Sequence, residues 1–252
     1  AGNPVSGERV DWHADSGNLW QTQGTTDAQG RATTTWESTM PGAATITADA
    51  YGQQYTAPVI TVMPALTVSS VTGIDATGAD GKNFGKRVPN STWPGAKFRI
   101  DTENAAGTVT WTASSPAVSI NGNVMTVKSN PAGVTLTGTD TDGQTVTLNM
   151  GGNWFAQSAT KYEWLNSDYD GTAIYSCRQL GAQVASSGAL QGVISEWGEL
   201  ETYEGWTNLK NDWLYSSTTV ISGNGVKSTI AYLFPGGKEG LLTGIRGYYA
   251  CR

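Results

Sequence analysis

Residues 187–200 read SGALQGVISEWGEL, and this stretch decides how the C-terminal part of the chain folds. Its apolar residues recur at the spacing of one helical face: Leu190, Val193, Ile194 and Trp197. Ser187 is of a type that caps the start of a helix, and Gly198 of a type that ends one. The stretch therefore predicts an amphipathic helix with Trp197 on its buried face.

A second helix is predicted just upstream. Asp170 can cap its start and Gly181 can stop it. One face of this helix would carry Ala173, Ile174, Cys177 and Leu180. We therefore expect Cys177 to point into the core.

The chain has 2 cysteines, Cys177 and Cys251, which lie 74 positions apart. We interpret them as one disulfide that ties the early helix to the final strand, and two unpaired buried thiols are the alternative. A closed loop of about 75 residues corresponds to roughly 4 to 5 kcal/mol of stabilisation in the chain-entropy model. A disulfide would place the protein in an oxidising compartment, such as a bacterial surface or a periplasm.

The composition favours several small β domains over one large domain. Among the 252 residues, 32 are glycine and only 14% are charged, and no long helical period precedes residue 167. The sequence has no apolar run of membrane-spanning length and no charged-then-apolar leader. We therefore expect a mainly β chain that neither spans a membrane nor carries its own export signal.

Charge and aromatic residues indicate the kind of partner. The net charge is −6 and no basic face emerges, which argues against nucleic acid. Five of the 10 Trp and eight of the 10 Tyr follow residue 151. Tyr and Trp supply much of the binding energy at protein interfaces, although a small mixed domain also needs them for its core.

Residues 1–62 predict short strands at 9–14, 32–37, 43–50 and 55–62, with a turn at 26–30. This segment resembles the later part of a bacterial immunoglobulin-like domain of the first group, through the runs Asn3-Pro4-Val5-Ser6-Gly7, Thr25-Thr26-Asp27 and Pro41-Gly42-Ala43-Ala44. Further strands precede Asn3 in that family. We therefore expect residues 1–62 to be a partial domain, cut from a longer chain.

Residues 63–151 predict strands at 66–68, 97–101, 108–113, 124–128, 134–138 and 144–149, with a hairpin turn at 140–143. The runs at 107–115 and 123–127 resemble a bacterial immunoglobulin-like domain of the second group, in which Trp111 is a core residue. Asp140 with Asp142, and Asp75 with Asp80, could be proposed as calcium ligands. Turn chemistry explains these residues without a metal, and we predict none.

Residues 152–252 predict an early helix pair, an irregular stretch at 199–225, and late strands near 227–234 and 241–251. With the paired cysteines, this order resembles the C-type lectin-like fold. Together with Leu190-Gln191-Gly192-Val193-Ile194-Ser195-Glu196-Trp197-Gly198 and the preceding immunoglobulin-like segments, it resembles the C-terminal passenger region of the invasin and intimin family of bacterial outer-membrane adhesins. The resemblance implies that the last immunoglobulin-like domain and the lectin-like domain pack together.

The residues argue against catalysis. The single histidine, His13, lies in the first segment, so the terminal segment cannot hold a Ser-His-Asp arrangement. A glycosidase pair could be sought among clustered glutamates, which we interpret instead as the solvated end of a helix and its following loop: Glu196, Glu199, Glu201 and Glu204. The loop motif of calcium-dependent lectins is absent around Pro235, so we expect neither a metal nor a cofactor.

A protein partner is expected to dock on residues 201–215, where large aromatics stand among charges. The predicted contacts are Tyr203, Trp206, Lys210 and Asp212, with Trp213 turned into the core. The alternative is that these rings simply pack the loop down. Asp168 and Asp170 are a weaker candidate pair. The resemblance implies that an exposed aspartate serves integrin binding, but no local motif assigns that role to a particular residue of this chain.

The sequence thus predicts a monomeric adhesin tip. Its lectin-like domain would bind a host protein such as an integrin, an immunoglobulin or a matrix protein, and the immunoglobulin-like domains would be spacers. An upstream barrel absent from this chain would anchor it in the outer membrane. The alternatives are a secreted carbohydrate-binding module and a self-associating structural surface protein.

Overall fold

Alternating apolar and polar residues form strands along most of the chain. The computed structural model describes residues 3–157, 162–163, 177–179, 181–223, 227–242 and 246–252. Two compact units divide between Ala65 and Leu66. No described helix is long and apolar enough to cross a membrane.

The first unit contains eight short strands in the residues described. They are β1 (Arg9–Ala14), β2 (Asn18–Leu19), β3 (Gln23–Thr25), β4 (Trp36–Glu37), β5 (Gly42–Ala44), β6 (Ile46–Ala50), β7 (Gln53–Thr56) and β8 (Ile60–Val62). A four-stranded sheet has the order β3-β1-β6-β7. The strand expected at 32–37 is wrong for its first four residues, because only Trp36–Glu37 pair. The predicted turn is confirmed, since the Asp27 carboxylate accepts hydrogen bonds from the backbone of Gln29 and Arg31.

The second unit begins with a sandwich of two sheets. Its strands are β9 (Thr67–Ile74), β10 (Asp80–Asn83), β11 (Ser91–Thr92), β12 (Lys97–Glu103), β13 (Thr110–Ala113), β14 (Val118–Asn121), β15 (Val124–Val127), β16 (Thr135–Thr139) and β17 (Thr145–Asn149). The two sheets have the orders β10-β9-β12-β15-β14 and β13-β16-β17. We call residues 66–149, which carry these strands, the spacer sandwich. Trp111 lies in its core, as predicted.

Turn hydrogen bonds account for two of the four aspartates that could be proposed as calcium ligands, Asp140 and Asp75. The Asp140 carboxylate accepts hydrogen bonds from the backbone of Ala106, Asp142 and Gln144. The Asp75 carboxylate accepts from the Thr77 hydroxyl and from the backbone of Thr77 and Ala79. These bonds favour the ionised form and lower the pKa of both carboxyl groups.

The remaining chain, which we call the terminal module, forms one sheet and one long helix among its described residues. The elements are β18 (Asn153–Trp154), β19 (Ala156–Gln157), β20 (Tyr162–Glu163), α1 (Ser187–Trp197), β21 (Trp213–Ile221), β22 (Lys227–Leu233), β23 (Lys238–Leu242) and β24 (Arg246–Cys251). The sheet order is β19-β24-β21-β22-β23, and β20 also pairs with β24. Two 3-10 turns, Leu200–Thr202 and Thr207–Leu209, connect α1 to β21.

Two expectations for the terminal module need correction. The helix cap is Ser186, whose hydroxyl accepts a hydrogen bond from the Ala189 backbone, and Ser187 is already helical. The stretch at 199–225 is not wholly irregular, because it contains β21, a central strand of the sheet. Gly198 ends α1 with φ 82°, as predicted.

The predicted disulfide is confirmed, because Cys177 and Cys251 are bonded with their Cα atoms 5.3 Å apart. Residues 177–179 are helical, whereas the other residues of the predicted upstream helix lie outside the described part. Cys251 also pairs with Ala156 of β19 and with Val184. The bond therefore joins a helical segment to the last strand, where the beginning and the end of the terminal module meet.

Replacing both cysteines, Cys177→Ser with Cys251→Ser, should lower the free energy of unfolding of the second unit by about 2 to 4 kcal/mol, because the unfolded chain loses its cross-link. Urea titration followed by near-UV circular dichroism measures this loss. Dithiothreitol should destabilise the wild-type chain by a similar amount and leave the double variant unchanged. Equal stability of the two chains in oxidising buffer would contradict the prediction.

Candidate functional site

The loop from α1 to β21 carries the predicted contact residues, and the structure divides them. Trp206 is 0% exposed and Tyr203 only 2%, so the expectation that these two rings are exposed is wrong. Leu200 and Leu209 are also fully buried. The rings are buried because this side of the loop packs on the spacer sandwich.

Five aromatic rings form what we call the seam cluster: Phe84, Trp93, Trp197, Tyr203 and Trp206. The first two belong to the spacer sandwich and the others to the terminal module. The Trp93 ring centroid lies 4.5 Å from that of Trp197 and 5.5 Å from that of Trp206. Trp197 is 4.7 Å from Phe84 and 5.0 Å from Tyr203, edge-on in both cases. Such edge contacts stabilise aromatic pairs beyond the burial of their area.

Hydrogen bonds fix the orientation of three of these rings. Trp197 Nε1 donates to the Ser91 carbonyl at 2.7 Å, and Trp93 Nε1 donates to the Glu204 carbonyl at 2.6 Å. The Tyr203 hydroxyl accepts from the Lys82 backbone at 2.8 Å. Burial raises the pKa of this hydroxyl, with smaller contributions from the charges of Asp75 and Glu199. The seam therefore pairs the polar ends of three aromatic rings across two modules.

The glutamates of this region have three different environments. The expectation that Glu196 is solvated is wrong. Its carboxylate accepts hydrogen bonds from the backbone of Asn90 and Ser91 and from the Arg87 guanidinium. Glu201 is also buried. Glu199 and Glu204 are exposed, and Glu204 lies 3.6 Å from Lys97.

Glu201 has a buried carboxylate oxygen, Oε2, without a hydrogen-bond partner in the protein. Burial raises the pKa of Glu201, and the nearby charge of Glu199 adds to this effect. Removing a carboxylate from water disfavours its ionised form. Glu201 therefore opposes the folded state at neutral pH.

The outer side of the loop is polar. Trp206 and Leu209 point inward, and the residues between and after them form an exposed crest: Thr207, Asn208, Lys210 and Asn211. Asn211 adopts φ 63°, which turns the chain into β21. Asp212 is half-buried, and its carboxylate accepts from the Trp213 backbone at 3.0 Å. Of the four predicted contacts, only Lys210 is exposed, and its role as a contact stays a prediction.

The weaker candidates Asp168 and Asp170 lie outside the described residues. In the part of the chain that the structure describes, no group of three or more Cys, His, Asp or Glu side chains is arranged to hold a metal ion. Trp213 is half-buried and packs beside Tyr215 and Ala231. The candidate site is therefore the polar crest on a buried aromatic base.

Sequence comparison finds two matches for this chain. Residues 1–63 match the family of bacterial Ig-like domains (group 1). The intimin of Citrobacter freundii is 25% identical over 240 residues, which is 90% of this chain. The chain spans only 24% of the length of that relative.

Solved structures of two adhesins share the fold. A C-terminal 282-residue fragment of intimin, in complex with the intimin-binding domain of the translocated intimin receptor, has a TM-score of 0.63 at 21% identity. That match covers 98% of this chain and 89% of the fragment. Invasin, described as a bacterial integrin-binding protein, has a TM-score of 0.51 at 16% identity over 99% of this chain and 73% of its own. The predicted architecture, immunoglobulin-like domains followed by a C-type lectin-like domain, is confirmed.

Gly81 allows the closest approach in the seam, because a Cβ atom at this position would meet the Tyr203 hydroxyl. Gly81→Ala should destabilise the second unit by about 1 to 3 kcal/mol, since the ring must shift and the bond from Lys82 weakens. Urea titration measures this change. Gly152→Ala is the control, because its nearest neighbour, Ala132, would be 3.9 Å away. Equal effects of the two substitutions would contradict the seam packing.

Glu201→Gln should change how stability depends on pH. The folded-state pKa of Glu201 is raised, so its favourable contribution exists at acid pH and is lost as the pH rises through the folded pKa. The variant should therefore gain stability relative to wild type between about pH 4 and pH 7. Urea titrations across this range test it, with the exposed Asp142→Asn as control. A constant difference between wild type and Glu201→Gln would refute the prediction.

Proposed function

Because this chain has the passenger architecture of the invasin and intimin family, we propose that it is the distal part of a bacterial surface adhesin. It attaches to a protein on a host cell through its terminal module, by surface complementarity and without catalysis. The observation that carries the proposal is the crest, an exposed polar surface held on buried Trp206 and Leu209 and formed by Thr207, Asn208, Lys210 and Asn211.

The solved relatives support a protein partner. The intimin fragment was solved with the binding domain of its translocated receptor, and invasin is described as integrin-binding. Both are bacterial adhesins that contact proteins, so a protein is the class of partner we assign to this chain. An integrin, an immunoglobulin and a matrix protein are the candidates within that class.

Rigidity of the crest favours binding. The side chains beneath it are fully buried, and the disulfide closes the module that carries it. A surface ordered before binding loses less conformational entropy when a partner docks. Lys210 and Asp212 are the contacts we assign, with Lys210 supplying the exposed charge and Asp212 holding the loop end.

The other modules act as spacers in this account. We assign residues 1–62 and 63–151 to immunoglobulin-like spacers and residues 152–252 to the lectin-like tip. An upstream barrel would anchor the adhesin in the outer membrane, where the disulfide is compatible with an oxidising environment. The tip would then meet the host surface.

Charge reversal at the crest tests the proposal. Lys210→Glu should weaken attachment of the 252-residue chain to host cells by about 10-fold. The new carboxylate would be repelled by the negative charge of the partner that Lys210 contacts in this proposal. Lys128→Glu, at an exposed position of the spacer sandwich, makes the same change of net charge and should leave attachment unchanged. Fluorescently labelled chain and flow cytometry measure the binding.

Two results would contradict this function. Equal attachment by Lys210→Glu and Lys128→Glu would show that the crest is not part of the interface. Attachment that is lost after glycosidase treatment of the cells but survives protease treatment would identify a carbohydrate partner. Circular dichroism of each variant establishes that it is folded.

A further inference from the structure

Among the described residues, one short segment of the spacer sandwich forms several of the hydrogen bonds that join it to the terminal module. This segment, residues 90–93, contains β11, which pairs in parallel with β18 through Ser91–Asn153 and Thr92–Trp154. The Asn153 backbone donates to the Asn90 carbonyl at 3.2 Å, and the Phe155 backbone donates to the Thr92 carbonyl at 2.9 Å. We call residues 90–93 the docking segment.

The end of α1 binds the same segment from another direction. Glu196 Oε1 accepts from the Asn90 backbone at 2.7 Å, and Oε2 accepts from the Ser91 backbone at 2.8 Å. The next residue, Trp197, donates through its indole to the Ser91 carbonyl. Ser91 is therefore bonded by α1 through both its N–H and its carbonyl.

The chain also crosses between the modules at this point. A Cβ atom on Gly151 would lie 2.6 Å from the Asn90 Cα atom and 2.7 Å from its carbonyl oxygen. Glycine is thus required at 151 by close approach alone. Linker, first strand and helix end converge on one segment of four residues, 90–93.

We propose that the docking segment and Glu196 form a lock that fixes the orientation of the terminal module on the spacer sandwich, with Glu196 as the positioning residue. The seam cluster holds the two surfaces together by non-directional apolar burial and by single hydrogen bonds at the polar ends of three rings, each of which fixes one contact. A carboxylate shared by two successive N–H groups defines both distance and angle. The lock is a property of the fold and stands independently of the partner.

The environment of Glu196 fits this role. Its side chain is only 10% exposed, whereas its third donor, Arg87, is 63% exposed. Arg87 therefore contributes a screened surface pair, and the two backbone bonds carry the orientation. Removing the carboxylate leaves the N–H groups of Asn90 and Ser91 without their partner, which favours opening of the seam.

For a surface adhesin the lock has a mechanical consequence. Without it, a force applied to the terminal module would be transmitted through the linker at Gly151–Gly152. The module would then rotate about these two glycines. With it, the load is shared by the parallel strand pair and the helix end. The orientation of the crest relative to the spacer sandwich is then maintained under tension.

Amide hydrogen exchange in the intact 252-residue chain tests the lock. Glu196→Ala should raise the exchange rates of the Asn90 and Ser91 amides and the Trp197 indole by at least about 10-fold, while Phe98 and Leu136 in the sandwich core stay within about 2-fold. Residual dipolar couplings should show that the two modules no longer share one alignment. Glu199→Ala, at an exposed position three residues on, should change neither measurement.

Each outcome decides the proposal. Unchanged seam exchange and a common alignment in Glu196→Ala would assign the orientation to aromatic packing and overturn the lock. Faster exchange throughout the second unit would mean that Glu196 stabilises the whole unit rather than orienting the terminal module, and would also overturn the lock. If Glu196→Ala does not fold, Glu196→Gln replaces it, since one amide oxygen can accept only part of the original set of hydrogen bonds. Faster exchange by more than about 3-fold, confined to the seam, would support the lock. Unchanged exchange at the seam would refute it.

Discussion

Contact between the spacer sandwich and the terminal module is the interaction on which the second unit depends. Trp93 and Trp197 meet at its centre, and each indole N–H is bonded to a carbonyl of the opposite module. Burial of an indole ring costs less when its N–H finds an acceptor, as it does for these two rings. The pair therefore couples apolar burial to a defined geometry, and the loop that carries the crest is ordered as a result.

The regular parts of the fold could be predicted from local pattern. Apolar spacing predicted α1, alternation predicted most strands of the spacer sandwich, and the two cysteines predicted the disulfide. Short or polar strands were missed, because β10 reads Asp-Gly-Lys-Asn and β11 has two residues. Their pairing is set by tertiary contacts, which a local pattern does not contain. β21 reads Trp-Leu-Tyr-Ser-Ser-Thr-Thr-Val-Ile, whose aromatic and β-branched residues favour a strand, so the sequence did contain a signal for it.

The candidate site shows why composition alone cannot locate a binding surface. An aromatic residue beside charges predicts an interface equally well when the partner is another module of the same chain. Tyr203 and Trp206 do contact a protein surface, but that surface is the spacer sandwich. One sequence signal favoured this outcome: Trp93 directly precedes Pro94-Gly95, a turn sequence beside which a large aromatic residue indicates burial against another element. The exposed polar residues beside the buried rings were correspondingly undervalued.

Hydroxyl-radical footprinting of the intact chain tests the buried aromatic seam most directly, because oxidation of each tryptophan reports its access to water. Trp20 is 68% exposed and serves as an internal reference, whereas Trp93, Trp197 and Trp206 are at most 1% exposed. The account predicts rapid labelling of Trp20 and at least about 10-fold slower labelling of the other three. Labelling of Trp206 as fast as Trp20 would contradict it, because the loop would then face solvent through its aromatic side.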